Sequence, residues 1–211
     1  MDKKEGSDLF STFNGTAMPT LVFLDGSGNE IDRILGYLPP EQYQVRVAEI
    51  ESNVNTLGAC LQKYENGERT AHLLFTMAQK YSDRNESDNA KKYYAELLES
   101  FPDVDESMAS TARFELAYDE FKNGNIDPFN EFVNNFSTSP MAQQALSLMA
   151  RFYKGSENKV SELGVYARML ALYPEDPRML NGYAWRMAEM ELNLEDALVK
   201  ARYAVELTAA D

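Results

Sequence analysis

Apolar residues recur at two different periods along this chain, and the change of period divides it. Thr20-Leu21-Val22-Phe23-Leu24 is a short apolar, partly β-branched run that closes on Asp25-Gly26-Ser27-Gly28, a sequence that favours a tight turn. From about Glu30 to Gly36, Ile31, Arg33 and Leu35 alternate with Asp32 and Ile34, which is the period of a strand. The two runs predict a β-hairpin. Residues 7–13 before it carry a helical pattern. Pro39-Pro40 after it suits the opening of a helix, where a fixed φ is already correct and a missing N–H removes no bond. No strand pattern returns beyond about Glu41. Ile50, Val54, Leu57, Leu61 and Tyr64 recur at spacings of three and four until Asn66-Gly67 ends them, which predicts a connecting helix over residues 53–67.

The remainder, residues 68–211, repeats itself. Phe101-Pro102, Ser139-Pro140 and Tyr173-Pro174 stand 38 and 34 residues apart. In the unit counted from Ala71, the residues Leu74, Met77, Ala78, Tyr81, Ala90, Tyr94, Leu97 and Pro102 alternate large, small, aromatic and terminating types. Small residues such as Ala78 and Ala90 suit the places where two antiparallel helices approach closely, and the aromatics fill the neighbouring holes. This spacing resembles the tetratricopeptide family, whose helix-turn-helix unit is roughly 34 residues long. The unit ending at Pro174 keeps the pattern in Leu146, Met149, Ala150, Tyr153, Tyr166 and Met169. The unit ending at Pro140 is more degenerate, with Phe114, Ala117, Phe121, Phe129, Phe132 and Phe136. A last unit offers Trp185 and Ala188, then Ala197, Ala201 and Ala204. About four helix pairs are expected, and because no polar cap follows Asp211, further repeats are expected beyond it.

The first 52 residues carry a second resemblance. Asn14-Gly15-Thr16-Ala17-Met18-Pro19-Thr20-Leu21-Val22-Phe23-Leu24-Asp25-Gly26-Ser27-Gly28, continued by Gly36-Tyr37-Leu38-Pro39-Pro40, resembles the C-terminal half of a thioredoxin domain. The resemblance implies a cis-proline at Pro19 and a substrate-pairing backbone at Met18. It also implies that the Cys-x-x-Cys half of such a fold would lie upstream of this chain. The expected fold class is therefore mainly α: a tetratricopeptide-like helical solenoid preceded by a β-hairpin and helix fragment of a thioredoxin-like α/β fold. Lacking its neighbouring strand, Thr20 to Leu24 is expected to form an unprotected edge, either pairing two copies as a homodimer or leaving residues 1 to about 38 loosely ordered. Bacterial proteins that fuse these two elements are often extracytoplasmic, so the resemblance implies the periplasm or cell envelope.

Charge narrows the partners. With 34 acidic and 20 basic residues the net charge is −14, which repels phosphate backbones, disfavours nucleic acid and favours basic or apolar peptides. No apolar run is long enough to span a bilayer, so a protein that stays in water is expected. Catalytic candidates are few. Cys60 is the single cysteine and cannot complete a two-thiol exchange. It lies on an apolar helical face, where a thiol behaves as a small hydrophobe. His72 is the only histidine and has no recognisable nucleophile or carboxylate partner. The acidic groups Glu49 and Glu51, and Asp103, Asp105 and Glu106, lack calcium-loop spacing and read as solvated faces or helix starts. No catalytic residue, metal or cofactor is expected. The leading function is a protein-interaction scaffold whose groove is lined by the first helices of the pairs, about residues 70–81, 112–121, 143–153 and 181–191, with exposed Gln79, Arg113, Gln144, Arg151 and Arg186 as contacts. The alternative is a thiol-disulfide oxidoreductase whose catalytic half lies upstream.

Overall fold

The computed structural model describes residues 3–209. They fall into two compact units, divided between Asp119 and Glu120. The first begins with helix α1 (Lys3–Thr12), strands β1 (Thr20–Leu24) and β2 (Glu30–Leu35), and helices α2 (Pro40–Glu51) and α3 (Leu57–Glu65). Helices α4 (Ala71–Asp83) and α5 (Ser87–Ser100) follow, with most of α6 (Glu106–Lys122). The second unit holds α7 (Asp127–Asn135), α8 (Pro140–Gly155), α9 (Lys159–Leu172), α10 (Pro177–Met190) and α11 (Leu194–Ala209). From α4 onward the helices follow one another in the short-loop, paired order that the repeat spacing predicts.

The expected hairpin forms, with β1 antiparallel to β2 and Leu21 opposite Ile34. Its turn is held by Asp25, whose Oδ1 accepts the main-chain N–H groups of Ser27 at 2.8 Å and Asn29 at 2.9 Å. Gly28 takes a φ of +86°, open to a residue without a Cβ. Among the described residues β2 is the only strand beside β1.

The connecting helix begins later than its apolar period suggests. The pattern from Ile50 to Tyr64 is interrupted: α2 ends at Glu51, and Asn53 and Asn55 take left-handed φ values of 52° and 53°. Asparagine tolerates that conformation, and Val54 between them is left exposed. Thr56 then caps α3 by accepting the N–H of Ala59 at 3.2 Å. Nor is α3 only a connector. Cys60, 2% exposed, joins Leu73, Leu74 and Met77 in one core, and Tyr64 meets Tyr93 edge-on at 5.4 Å.

The packing between α4 and α5 explains the repeat pattern. Leu74, Met77, Ala78 and Leu97 are fully buried, Ala90 nearly so, and Tyr81 stacks on Tyr93 with ring centres 5.6 Å apart. In the second unit Phe121 and Phe129 pack at 4.9 Å, and Tyr183, Ala184 and Met187 of α10 form a core with Ala197 of α11. Helix starts are capped as well as spaced. Thr70, Ser139 and Asp176 accept main-chain N–H groups in the first turns of α4, α8 and α10, and Pro140 and Pro177 occupy first helical positions.

Candidate functional site

Strand β2 carries three successive buried residues, Asp32, Arg33 and Ile34. Two of them are charged, and they bind the strand to α4. Lys80 of α4 donates to Asp32 Oδ2 at 2.6 Å, and Arg84, one turn further, donates to Asp32 Oδ1 at 3.3 Å and lies 2.9 Å from Glu30. Arg46 of α2 donates to Asp32 Oδ2, the oxygen that Lys80 uses, at 2.5 Å and to Glu49 at 2.8 Å. Arg33 donates to both oxygens of Glu30 and to the main-chain oxygen of Asp83 at 2.9 Å. One carboxylate thus gathers three cationic side chains.

The titration of these groups follows from the arrangement. Burial pushes the Asp32 carboxyl up, but the hydrogen bond and charge of Lys80, the Arg33 N–H and the charge of Arg46 outweigh it, so its pKa is lowered. Lys80 shifts down too. For the ammonium, burial and the neighbouring guanidinium groups of Arg46 and Arg84 prevail over its share of a single carboxylate.

A cavity of about 420 Å3 opens beside this cluster. One wall is the face of α4 bearing His72, Thr76, Gln79, Ser82 and Asp83. Arg33 of β2, Arg46 and Glu49 of α2, and Asn55 form another, and Thr111 and Glu115 of α6 complete the lining. The α4 positions lie three and four apart, opposite the Leu74, Met77 and Ala78 face that packs on α5, which is how one amphipathic helix serves a core and a groove together. Asp83 differs from the other carboxylates here. Burial raises its pKa against the charges of Lys80, Arg84 and Arg33, and among the described residues no hydrogen bond reaches its side chain.

Of the expected contact residues, Gln79 is exposed and lines this cavity, while Arg113 is exposed on α6 without lining it. In the second unit Gln144 and Arg151 are exposed, two turns apart on one face of α8. Arg186 does not sit open to solvent as expected. Its Nε and Nη2 donate to the buried Glu162 of α9 at 2.6 and 3.0 Å, and its Nη1 to Glu189 at 2.9 Å. A buried carboxylate needs such a partner, so this arginine is a structural tie. Met18 is 82% exposed, the Met18–Pro19 bond is cis, and neither residue lines the cavity. Cys60 is buried, and burial is the first cause that raises its thiol pKa.

Sequence reasoning gave no role to Asp32, Lys80, Arg84 or Asp83 in a site. Lys80 and Arg84 lie 48 and 52 residues from Asp32 in sequence, where no helical or strand spacing links them. Among the described residues no group of His, Cys, Asp and Glu could hold a metal ion, and no helix is long and apolar enough to cross a membrane.

No family model matches the sequence, and no curated protein matches it. Solved structures do resemble the fold. A structure described as "Crystal structure of MamA" aligns with a TM-score of 0.54 at 12% identity, over 83% of this chain and 98% of that one. Another, "MamA RS-1 ArsTM double mutant", gives 0.52 at 14% identity over 80% of this chain and 90% of that one. MamA is a tetratricopeptide-repeat protein, and the shared fold is a tetratricopeptide-like helical array.

Proposed function

We propose that this protein is an interaction scaffold that holds a peptide segment of a partner protein in the cavity beside α4 and performs no chemistry of its own. The observation that carries this reading is the polar face of α4. His72, Thr76 and Gln79 stand over an open cavity of about 420 Å3, within the roughly 300–1,000 Å3 of ligand sites, while the opposite face of the helix is committed to the core. A rigid helix presenting unspent donors and acceptors recognises an extended or helical segment by side-chain contacts. Arg113 on α6, and Gln144 and Arg151 on α8, are further contact candidates within their own units.

Residues 1–52 fit the same reading as a redox-inactive, partial thioredoxin-like segment. Their order of hairpin then helix agrees with that resemblance, and the chain's one thiol is packed in a core where it supplies no thiolate. Here the segment acts as a wall: β2 and α2 supply Arg33, Arg46 and Glu49 to the cavity.

The test is selection of a random peptide library on the full chain, followed by calorimetry with the selected peptides. Thr76→Trp, which fills the cavity from its own wall, is expected to weaken them at least tenfold, or about 1.4 kcal/mol. Peptides that bind Thr76→Trp as well as the parent, or a library that yields no binder, would overturn the assignment.

A further inference from the structure

The charges around the cavity are unevenly committed. Its cations are spoken for: Lys80 donates to Asp32, Arg46 to Asp32 and Glu49, and Arg33 to Glu30 and a main-chain oxygen. Glu49 is likewise occupied, by Arg46 and by Asn55 at 3.4 Å. The Asp83 carboxylate is not. It lines the cavity in a part-buried position, and the guanidinium of Arg33 spends its Nη1 on the main-chain oxygen of the same residue. A part-buried carboxylate with no protein donor keeps its acceptor positions open, and a ligand that brings a cationic donor forms a charge-assisted bond there. Thr76 and Thr111 add hydroxyl groups to the same lining, suited to the flanks of a polar head group.

We infer that this cavity takes the cationic side chain of a partner peptide, a lysine or arginine whose head group donates to Asp83 while its methylene stem lies along α4 beside Thr76 and Gln79. The inference rests on the scaffold reading and names the ligand class of the same site. The charge of the whole chain, −14, draws such a peptide in and speeds its encounter at low salt. The charges of Lys80 on α4, Arg84 at its end, and Asp32 and Arg33 of β2 act on Asp83, and His72 of α4, Arg46 and Glu49 of α2 and Glu115 of α6 share the cavity lining with it. Because burial raises the Asp83 pKa, the ionised form that binds a cation fills only as pH rises through that raised value.

The experiment is calorimetry on the full chain with acetyl-triarginine amide, its citrulline counterpart, which keeps the shape and loses the charge, and acetyl-triglutamate amide. Triarginine is expected to bind, and the citrulline and glutamate peptides at least tenfold more weakly. Asp83→Asn is expected to remove that preference, Asp83→Glu to retain it, and only the carboxylate-bearing forms to gain affinity as pH rises through the Asp83 pKa. Equal binding of triarginine and the citrulline peptide, or of triarginine to parent and Asp83→Asn, overturns the inference. The scaffold reading survives that result if library-selected peptides without a basic residue still lose affinity to Thr76→Trp. If neither they nor triarginine bind, both readings fail. Far-ultraviolet circular dichroism of Asp83→Asn identical to the parent separates a lost contact from a lost fold.

Discussion

Helix α4 meets its two neighbours by opposite means. Toward α5 it offers Leu74, Met77, Ala78 and Tyr81 to Ala90, Tyr93, Tyr94 and Leu97, an interface of fitted apolar surface. Toward β2 it offers Lys80 and Arg84 to Asp32, an interface of buried charge. Apolar packing adds up from many small contacts and loses energy in proportion to the atoms removed. The charged junction behaves differently, since each group has meaning only while its partner is present, and a buried ion without one costs several kcal/mol. The first kind of interface recurs between α10 and α11, where Tyr183, Ala184 and Met187 meet Ala197. The second also occurs between α9 and α10, where Arg186 holds the buried Glu162, but at β2 one carboxylate gathers three cations.

The sharpest way to break this comparison is to remove the shared acceptor. Asp32→Ala leaves Lys80, Arg84 and Arg46 without their common carboxylate, and is expected to cost about 3–5 kcal/mol in urea unfolding. Hydrogen exchange at the Ile34 amide should accelerate with it, as β2 loosens from α4. Lys80→Met should cost less than half as much. It keeps a similar stem, leaves Asp32 with two guanidinium partners, and removes an ammonium whose lowered pKa marks it as poorly accommodated. Equal losses for the two variants would mean that Asp32 is not the hub.

Acid titration separates the contributions more gently. Asp32 has a folded pKa below its unfolded value of 3.8, so its stabilisation is present above that value and lost as pH falls through the lower, folded one. Asp83 has the opposite sign: with its folded pKa above 3.8, its ionisation costs stability, and that cost is relieved as pH falls through the raised value. The urea midpoint is therefore expected to rise on mild acidification and to fall once pH drops below the ordinary carboxylate range. Asp83→Asn should flatten only the upper limb. A midpoint that falls monotonically from neutral pH in the parent would contradict the assignment for Asp83.

The smallest effect concerns the apolar interface. Thr70 caps α4 by accepting the Leu73 N–H at 3.1 Å, and Thr70→Ala is expected to cost about 1 kcal/mol without altering exchange at Ile34 more than elsewhere. A selective loosening of β2 in this variant would show that the junction depends on the start of the helix as well as on Lys80 and Arg84.

The sequence was a good guide wherever structure is made by neighbours. Ala78, Ala90 and the prolines at 102, 140 and 174 mark helix contacts and ends because those constraints act within one repeat. The apolar period from Ile50 to Tyr64 was a poor guide, since the same spacing can run across a break. The signal that contradicts it, Ser52-Asn53 and Asn55-Thr56, is a matter of turn and cap chemistry. The candidate site was legible only in part. Gln79 followed from helical phase, but Asp32 and Arg33 occupy a strand whose polar positions look solvated until α4 is known to cover them. Arg186 failed for the same reason, because nothing in its own helix shows that Glu162 lies buried across from it.

The junction at Asp32 also bears on inheritance. Repeat arrays change by gaining, losing and exchanging whole units, and such exchanges are tolerated because each unit depends mainly on its neighbours. The α4–α5 pair cannot travel so freely. Moved to another array it would carry Lys80 and Arg84 to a surface with no Asp32, and left without its hairpin it would keep two cations facing an empty place. Recombination that cuts between residues 52 and 68 separates the acid from its bases, so strand and first repeat are expected to descend together as one block, and a cut between Glu162 of α9 and Arg186 of α10 is disfavoured for the same reason.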